Sequence, residues 1–232
     1  MAKLSEAPKL SEAPVGGANN DSVFTAEHQI FRETCHRFYE KELEPHYKRW
    51  EQEGKGTDKE LWKKAAKAGM VGMAVPEEYG GPGGDFLYNL IQNEEMGRFV
   101  SGASVGAAIA TDVMTTVLAE HGTHEQKLRW FPGILSGDVV QAMGLTEPGS
   151  GSDVSSLQTR ARKQGGDYLI SGNKCYMSSG DKADLMYVVA RTDRDLEQGR
   201  GAMTMFLVDK QGRVINRTLQ VRDLEDALRR AL

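Results

Sequence analysis

From Thr25 to about Gly122 the apolar residues recur at three- and four-residue spacing, and beyond Gly137 the spacing changes to two. The first pattern predicts amphipathic helices, the second half-buried strands. Thr25 is suited to cap a helix with an apolar face of Phe31, Cys35, Phe38 and Tyr39, ending near Pro45. Asp58 opens a second helix with Leu61, Trp62 and Ala65 on one face, closed by Gly69. Met70 to Pro76 is short and apolar and leads into a loop, Glu77 to Gly84. A third helix starts near Phe86 and carries Leu90 and Ile91. A longer one spans Ser101 to His121, and its small residues (Gly102, Ala103, Gly106, Ala107, Ala110) permit close approach of a backbone or ligand. The last, Glu125 to Phe131, is expected to stop at Pro132.

Strands are predicted at Val139–Leu145, Leu157–Arg162, Asp167–Ser171, Cys175–Ser178, Leu185–Arg191 and Met203–Val208, with Gly165-Gly166 as a hairpin turn. A run of helices followed by a run of strands implies an α+β fold, not the βαβ alternation of a dinucleotide-binding parallel sheet. The boundaries read as a helical domain over 22–137 and a β-domain over 138–210. Residues 1–21 repeat KLSEAP twice and then lack large apolar side chains, which predicts a disordered extension. In 211–232, Val221, Leu224 and Leu228 suggest a short amphipathic helix, with Glu225 and Arg229 as an i,i+4 pair.

Composition narrows the function classes. In 232 residues of net charge −4 there is no apolar run long enough for a membrane span and no block of Lys/Arg to favour nucleic acid. Cys35 and Cys175 stand far apart, which predicts two reduced thiols. With neither an apolar signal segment nor an Arg-rich presequence at the start, the expected location is cytoplasmic. The 26 glycines are clustered, which points to tight turns or backbone–ligand contacts.

The densest cluster is Gly144-Leu145-Thr146-Glu147-Pro148-Gly149-Ser150-Gly151-Ser152-Asp153. Its glycines free backbone N–H groups and its hydroxyls donate and accept, which suits an anionic or heteroaromatic ligand. On pattern alone, a plain β-turn with a Pro-Gly corner is the commoner origin of such a string. No Gly-Lys-Ser/Thr follows, so it is not a P-loop. A second segment, Lys174-Cys175-Tyr176-Met177-Ser178-Ser179-Gly180, places an aromatic, an apolar residue and a hydroxyl before a glycine, and alone reads as an edge strand leaving for a turn. His121 and His124 read as a helix end and a turn, with no metal site.

Together the two segments resemble the acyl-CoA dehydrogenase family. The loop is similar to that family's flavin-binding signature, and Asn173-Lys174-Cys175-Tyr176-Met177-Ser178 to the strand that carries an aromatic, an aliphatic and a Thr/Ser to the flavin edge. Pro76-Glu77-Glu78-Tyr79-Gly80-Gly81 and the stretch from His121 to Gly137 also resemble family segments, so the likeness covers about residues 22–209.

The resemblance implies FAD as cofactor and oxidation of an acyl-CoA thioester to the trans-2-enoyl-CoA. A glutamate takes the α-proton, the β-hydrogen leaves as hydride to flavin N5, and electrons pass to an electron-transfer flavoprotein. It further implies that Met143, Leu145 and Thr146 meet the isoalloxazine and that Gly151 and Ser152 approach the FAD phosphates, with Ser152 also near the acyl-CoA. Tyr176, Met177 and Ser178 would hold the other flavin edge, the Ser178 hydroxyl facing N5; many relatives have Trp and Thr where this chain has Tyr176 and Ser178. Glu147 reads as structural, since family members carry the base in a C-terminal helical domain. No match to that domain or to further family strands is expected after Asp209. Catalysis by the chain alone is therefore not expected, and a non-catalytic flavin- or acyl-CoA-binding module stands as the alternative. Full-length relatives are expected to be homo-oligomers.

Overall fold

The computed structural model describes residues 23–54, 57–102, 113–165, 167–192 and 203–209, together with the backbone of 214–215 and 218–221. The expected extension over 1–21, most of the small-residue stretch at 103–112 and residues 222–232 lie outside the described residues. Two compact units form, one from Met1–Thr57 with Gly84–Thr111, the other from Asp58–Gly83 with Asp112–Leu232. The boundary read at 137/138 thus falls inside the second unit.

In the first unit, α1 (Ala26–Phe38) begins at Thr25, whose side chain accepts from the His28 N–H while His28 Nδ1 accepts from the Thr25 N–H. This reciprocal cap satisfies two otherwise orphaned donors. The helical path widens into a π turn over Tyr39–Leu43, closed by Glu44 N–H donating to the Tyr39 carbonyl, and ends just before Pro45. A short helix that the periodicity does not announce, α2 (Tyr47–Glu53), follows and stops at Gly54 in the left-handed region.

The fourth helix in chain order, α4 (Phe86–Gly97), is capped by Asp85 and packs against α1 through Phe31 and Tyr88, whose ring centroids are 5.2 Å apart. At this contact Glu95, fully buried, accepts from Arg32 at 3.1 Å, His36 at 3.0 Å and Arg98 at 3.2 Å. A buried carboxylate is tolerated only with such partners.

The second unit is layered. Here α3 (Lys59–Lys67), a 3-10 turn (Glu77–Tyr79), α5 (Val113–His121) and α6 (His124–Leu135) precede the strands. β1 (Gln141–Gly144) pairs parallel with β4 (Leu185–Ala190), and β4 antiparallel with β5 (Thr204–Asp209). A four-stranded antiparallel sheet has the order β2 (Arg160–Gln164), β3 (Asp167–Ser171), β7 (Thr218–Val221), β6 (Val214–Ile215). The β2–β3 register closes on Gln164 and Asp167, with Gly165 at φ +66° just after β2.

The alternation along β4 explains the layering. Leu185 and Tyr187 pack with Val75, Leu118, Phe131 and Ile134 of the helical layer, while Val188 and Ala190 pack with Ala161, Ile170, Phe206 and Val208 between the sheets. A strand buried on both faces reads as the continuous apolar run Leu-Met-Tyr-Val-Val-Ala.

Three sequence expectations are revised. The helix begun at His124 passes through Pro132 to Leu135. Proline forfeits one helical hydrogen bond, but Phe131 and Ile134, either side of it, are fully buried, which offsets the loss. Cys175–Ser178 is not a strand; residues 172–177 are irregular and 178–182 form turns, with Tyr176 and Ser179 left-handed at φ +55° and +60°. Backbone in that region cannot continue a ladder. Beyond residue 210, where no further family strands were expected, β6 and β7 extend the sheet through β3; the short helix read from Val221, Leu224 and Leu228 falls almost wholly outside the described residues. Of the long helix expected over Ser101–His121, residues 101–102 and α5 are helical and 103–112 lie outside the described residues.

Burial, helped by the nearby Glu95 carboxylate and opposed by Arg32, pushes the Cys35 thiol up to about 12, while Cys175 is half-buried. At neutral pH a thiol reagent is therefore expected to label one cysteine per native chain, Cys175, and both in denaturant. Two fast-reacting native thiols by mass spectrometry would contradict this packing.

Candidate functional site

The glycine-rich loop begins where β1 ends. Glu147 and Ser150 exchange two backbone hydrogen bonds, at 2.9 and 3.1 Å, and put Pro148-Gly149 at the corner of a tight turn. The chain is then gathered on Asp153: the Ser150 and Ser156 hydroxyls donate to its carbonyl at 2.8 and 2.9 Å, and the Ser155 hydroxyl to its carboxylate. The turn reading and the ligand-loop reading are therefore compatible, since the turn leaves Gly149, Gly151 and Ser152 exposed.

Below the loop lies a buried ion pair. The Glu147 carboxylate accepts from the Gln158 N–H at 2.6 Å, the Thr159 N–H at 2.9 Å and Lys174 Nζ at 2.9 Å. Both side chains are nearly inaccessible, at 5% exposure for Glu147 and 8% for Lys174. Burial alone would raise the Glu147 carboxyl, but the hydrogen bonds from Thr159, Gln158 and Lys174 outweigh it and hold it at about 2. Burial pulls the Lys174 ammonium below its ordinary value, opposed by Glu147. A carboxylate so engaged is an anchor, not a base for substrate.

Lys174 also brings the second segment to the first. Its Nζ donates to the Leu145 carbonyl at 2.9 Å across 29 residues of sequence, and the Cys175 N–H donates to the Thr146 carbonyl at 3.0 Å. Met143, Leu145 and Thr146 are half-buried at this junction, and Met177, also half-buried, lies beside Gly144, where an added Cβ would stand 3.6 Å from its sulfur. Tyr176 and Ser178 are exposed. Tyr176 is 92% exposed, a large aromatic held in left-handed backbone with its ring in solvent. Such a residue is a strained outlier, and these cluster at ligand sites. The structure therefore joins residues 143–146 with 174–177, and places Gly151 and Ser152 on the exposed part of the same loop.

A heteroaromatic phosphate-bearing ligand fits these residues. Gly149 and Gly151 have nothing within 4 Å of an added Cβ, and neither has positive φ, so neither packing nor backbone conformation among the described residues requires glycine there. Open space at a glycine in an exposed loop is what close approach of a ligand to the backbone needs. Lys174 is the residue whose role periodicity could not announce; a lone lysine amid a polar stretch gives no such signal. His121 ends α5, His124 opens α6 and bonds the Tyr79 hydroxyl at 3.0 Å, and among the described residues no group of three metal-ligating side chains forms.

Residues 25–138 match the family model "Acyl-CoA dehydrogenase, N-terminal domain", and residues 142–229 match "Acyl-CoA dehydrogenase, middle domain". The second match runs past the boundary read at residue 210, through β6 and β7. The long-chain specific acyl-CoA dehydrogenase of Mus musculus mitochondria is 34% identical over 187 residues, which are 81% of this chain and 43% of that relative. The chain thus spans less than half of the relative's length. A solved acyl-CoA dehydrogenase from Geobacillus kaustophilus superposes with a TM-score of 0.71 at 32% identity, covering 85% of this chain and 55% of that one. One from Bacillus anthracis, solved as a complex with FAD, gives a TM-score of 0.70 at 28% identity over 89% of this chain and 37% of its own.

The low carboxyl value sets a pH window. The ionised form of Glu147 is favoured in the fold, so its stabilisation is complete above the ordinary 4.5 and is lost as pH falls through about 2. Glu147→Gln leaves Lys174 buried without its counter-charge. It is expected to cost about 3 kcal/mol at pH 7 and to flatten the stability profile below pH 4.5, both readable by urea melts across pH. A variant as stable as the parent would show the pair to be dispensable.

Proposed function

The chain belongs to the acyl-CoA dehydrogenase family, and on that premise we propose that its two-segment site binds FAD and presents it to an acyl-CoA thioester for α,β-dehydrogenation. The observation that carries this reading is the junction at Lys174, which sets residues 143–146 against 174–177 and leaves an exposed aromatic and two unhindered glycines beside it.

Met143, Leu145 and Thr146 would hold one edge of the isoalloxazine, and Tyr176, Met177 and Ser178 the other. Burying the Tyr176 ring under a flat ligand removes apolar surface from water, a gain of roughly 25 cal/mol per Å². Gly151 would let the phosphates approach the backbone, with the Ser152 hydroxyl as donor to the phosphates or to the acyl-CoA. When bound, FAD supplies the two-electron redox step. Electrons would pass on to an electron-transfer flavoprotein, with the protein acting in the cytoplasm.

Neither carboxylate of the loop is poised to take an α-proton. Glu147 is buried in its ion pair and Asp153 is engaged by Ser155. This favours a chain that binds flavin and acyl-CoA but does not by itself turn the thioester over, which is also the reading of a non-catalytic binding module.

The test is reconstitution. Purified chain mixed with excess FAD and desalted is expected to keep a visible flavin band near one per chain, and Gly151→Val to weaken FAD binding tenfold or more. Acyl-CoA added anaerobically is expected not to bleach the band. Absence of any retained flavin would overturn the binding reading, and bleaching, or turnover with an artificial acceptor, would overturn the claim of no base.

A further inference from the structure

We propose that Lys174 is a positioning residue for the bound ligand: by capturing the Leu145 carbonyl it turns the Thr146 N–H to the ligand side of the loop. The inference rests on the FAD reading above. In a trans peptide the C=O and the following N–H point to opposite sides. With the Leu145 carbonyl drawn to the ammonium at 2.9 Å, the Thr146 N–H points away from it. Among the described residues that N–H has no acceptor, whereas the Thr146 carbonyl is taken by the Cys175 N–H. Both carbonyls flanking this N–H are thus committed to the 174–175 segment, and the donor between them is left for an acceptor atom outside the chain.

An ammonium on the carbonyl also polarises the peptide, which strengthens its N–H as a donor. The charge is held in place because Glu147 accepts from the same Nζ at 2.9 Å and neither side chain reaches solvent freely. The matching ligand atom is a ring nitrogen or carbonyl oxygen of a heteroaromatic, the class of acceptor on a flavin edge. Lys174 acts through the peptide and touches no reacting atom.

The test compares FAD affinity of the full chain in four forms: parent, Glu147→Gln, Glu147→Gln/Lys174→Met and Lys174→Arg. The double variant removes both charges together, so no unpaired ion is left buried. It is expected to bind FAD at least tenfold more weakly than Glu147→Gln, with Lys174→Arg recovering most of the parent's affinity. A folded double variant that binds as tightly as Glu147→Gln overturns the proposal. Should the double variant not fold, amide exchange in the parent decides: FAD is expected to slow Thr146 N–H exchange tenfold or more, and an unprotected Thr146 in the FAD-loaded chain overturns it. If the parent takes up no FAD, the site reading falls separately. The ligand-free Thr146 15N resonance then tests the peptide orientation, which stands if Lys174→Met shifts the resonance and fails if it does not.

Discussion

The arrangement of the site depends on one buried ion pair. Glu147 and Lys174 are each nearly inaccessible, and neither charge is tolerable in that position without the other. Their attraction has a geometric result. The carboxylate collects the N–H groups of Gln158 and Thr159, and the ammonium reaches back to Leu145, so three separate stretches of chain meet at two side chains. Thr159 is in turn fixed by the end of β4, where the Arg191 N–H donates to its carbonyl at 2.9 Å and the Ala161 N–H donates to the Arg191 carbonyl at 2.8 Å. The loop is therefore not an appendage: its anchor is continuous with the seam joining the two sheets.

That continuity follows from how β4 is buried. Its odd-numbered residues Leu185 and Tyr187 pack on the helical layer and its even-numbered Val188 and Ala190 on the second sheet. A slip of one residue would exchange the two faces. Tyr187 would then lose its bond to Gln141 of β1, whose amide reaches Thr115 of α5 at 2.8 Å. Since β1 runs parallel to β4 and ends at Gly144, the register of this pair sets where Leu145 and Thr146 emerge.

The sequence was informative where the physics is local. Thr25 and the run from Leu185 announce a helix start and a strand without reference to distant residues, and both stand where the pattern puts them. The α+β order of helices then strands was legible for the same reason. Pro132 misled because its effect is local while the burial of Phe131 and Ile134 that overrides it is not. Tyr176 misled in the opposite sense: Tyr and Cys favour strands, but the bonds from Lys174 and Cys175 to the first segment bend the backbone into a left-handed turn. The flavin-type motif could be spotted as a string, yet the bonds that bring its two halves together span 29 residues and leave no periodicity to read.

The clustered glycines have two physical origins, and separating them sharpens the site. Gly172 is demanded by packing, because a Cβ there would come within 2.2 Å of the Thr159 hydroxyl and 2.7 Å of its Cα. That close approach belongs to the same seam in which Thr159 donates to Glu147. Gly144 is likewise crowded, with Lys174 3.3 Å from an added Cβ. Gly149 and Gly151 face open space with ordinary backbone angles, so nothing among the described residues explains them. Glycine carries an entropic cost on folding that alanine would reduce. Gly149 and Gly151, separated by Ser150 and followed by the Ser152 hydroxyl, lie over a floor fixed by a buried charge pair, which is the arrangement the proposed ligand would need in order to reach the backbone.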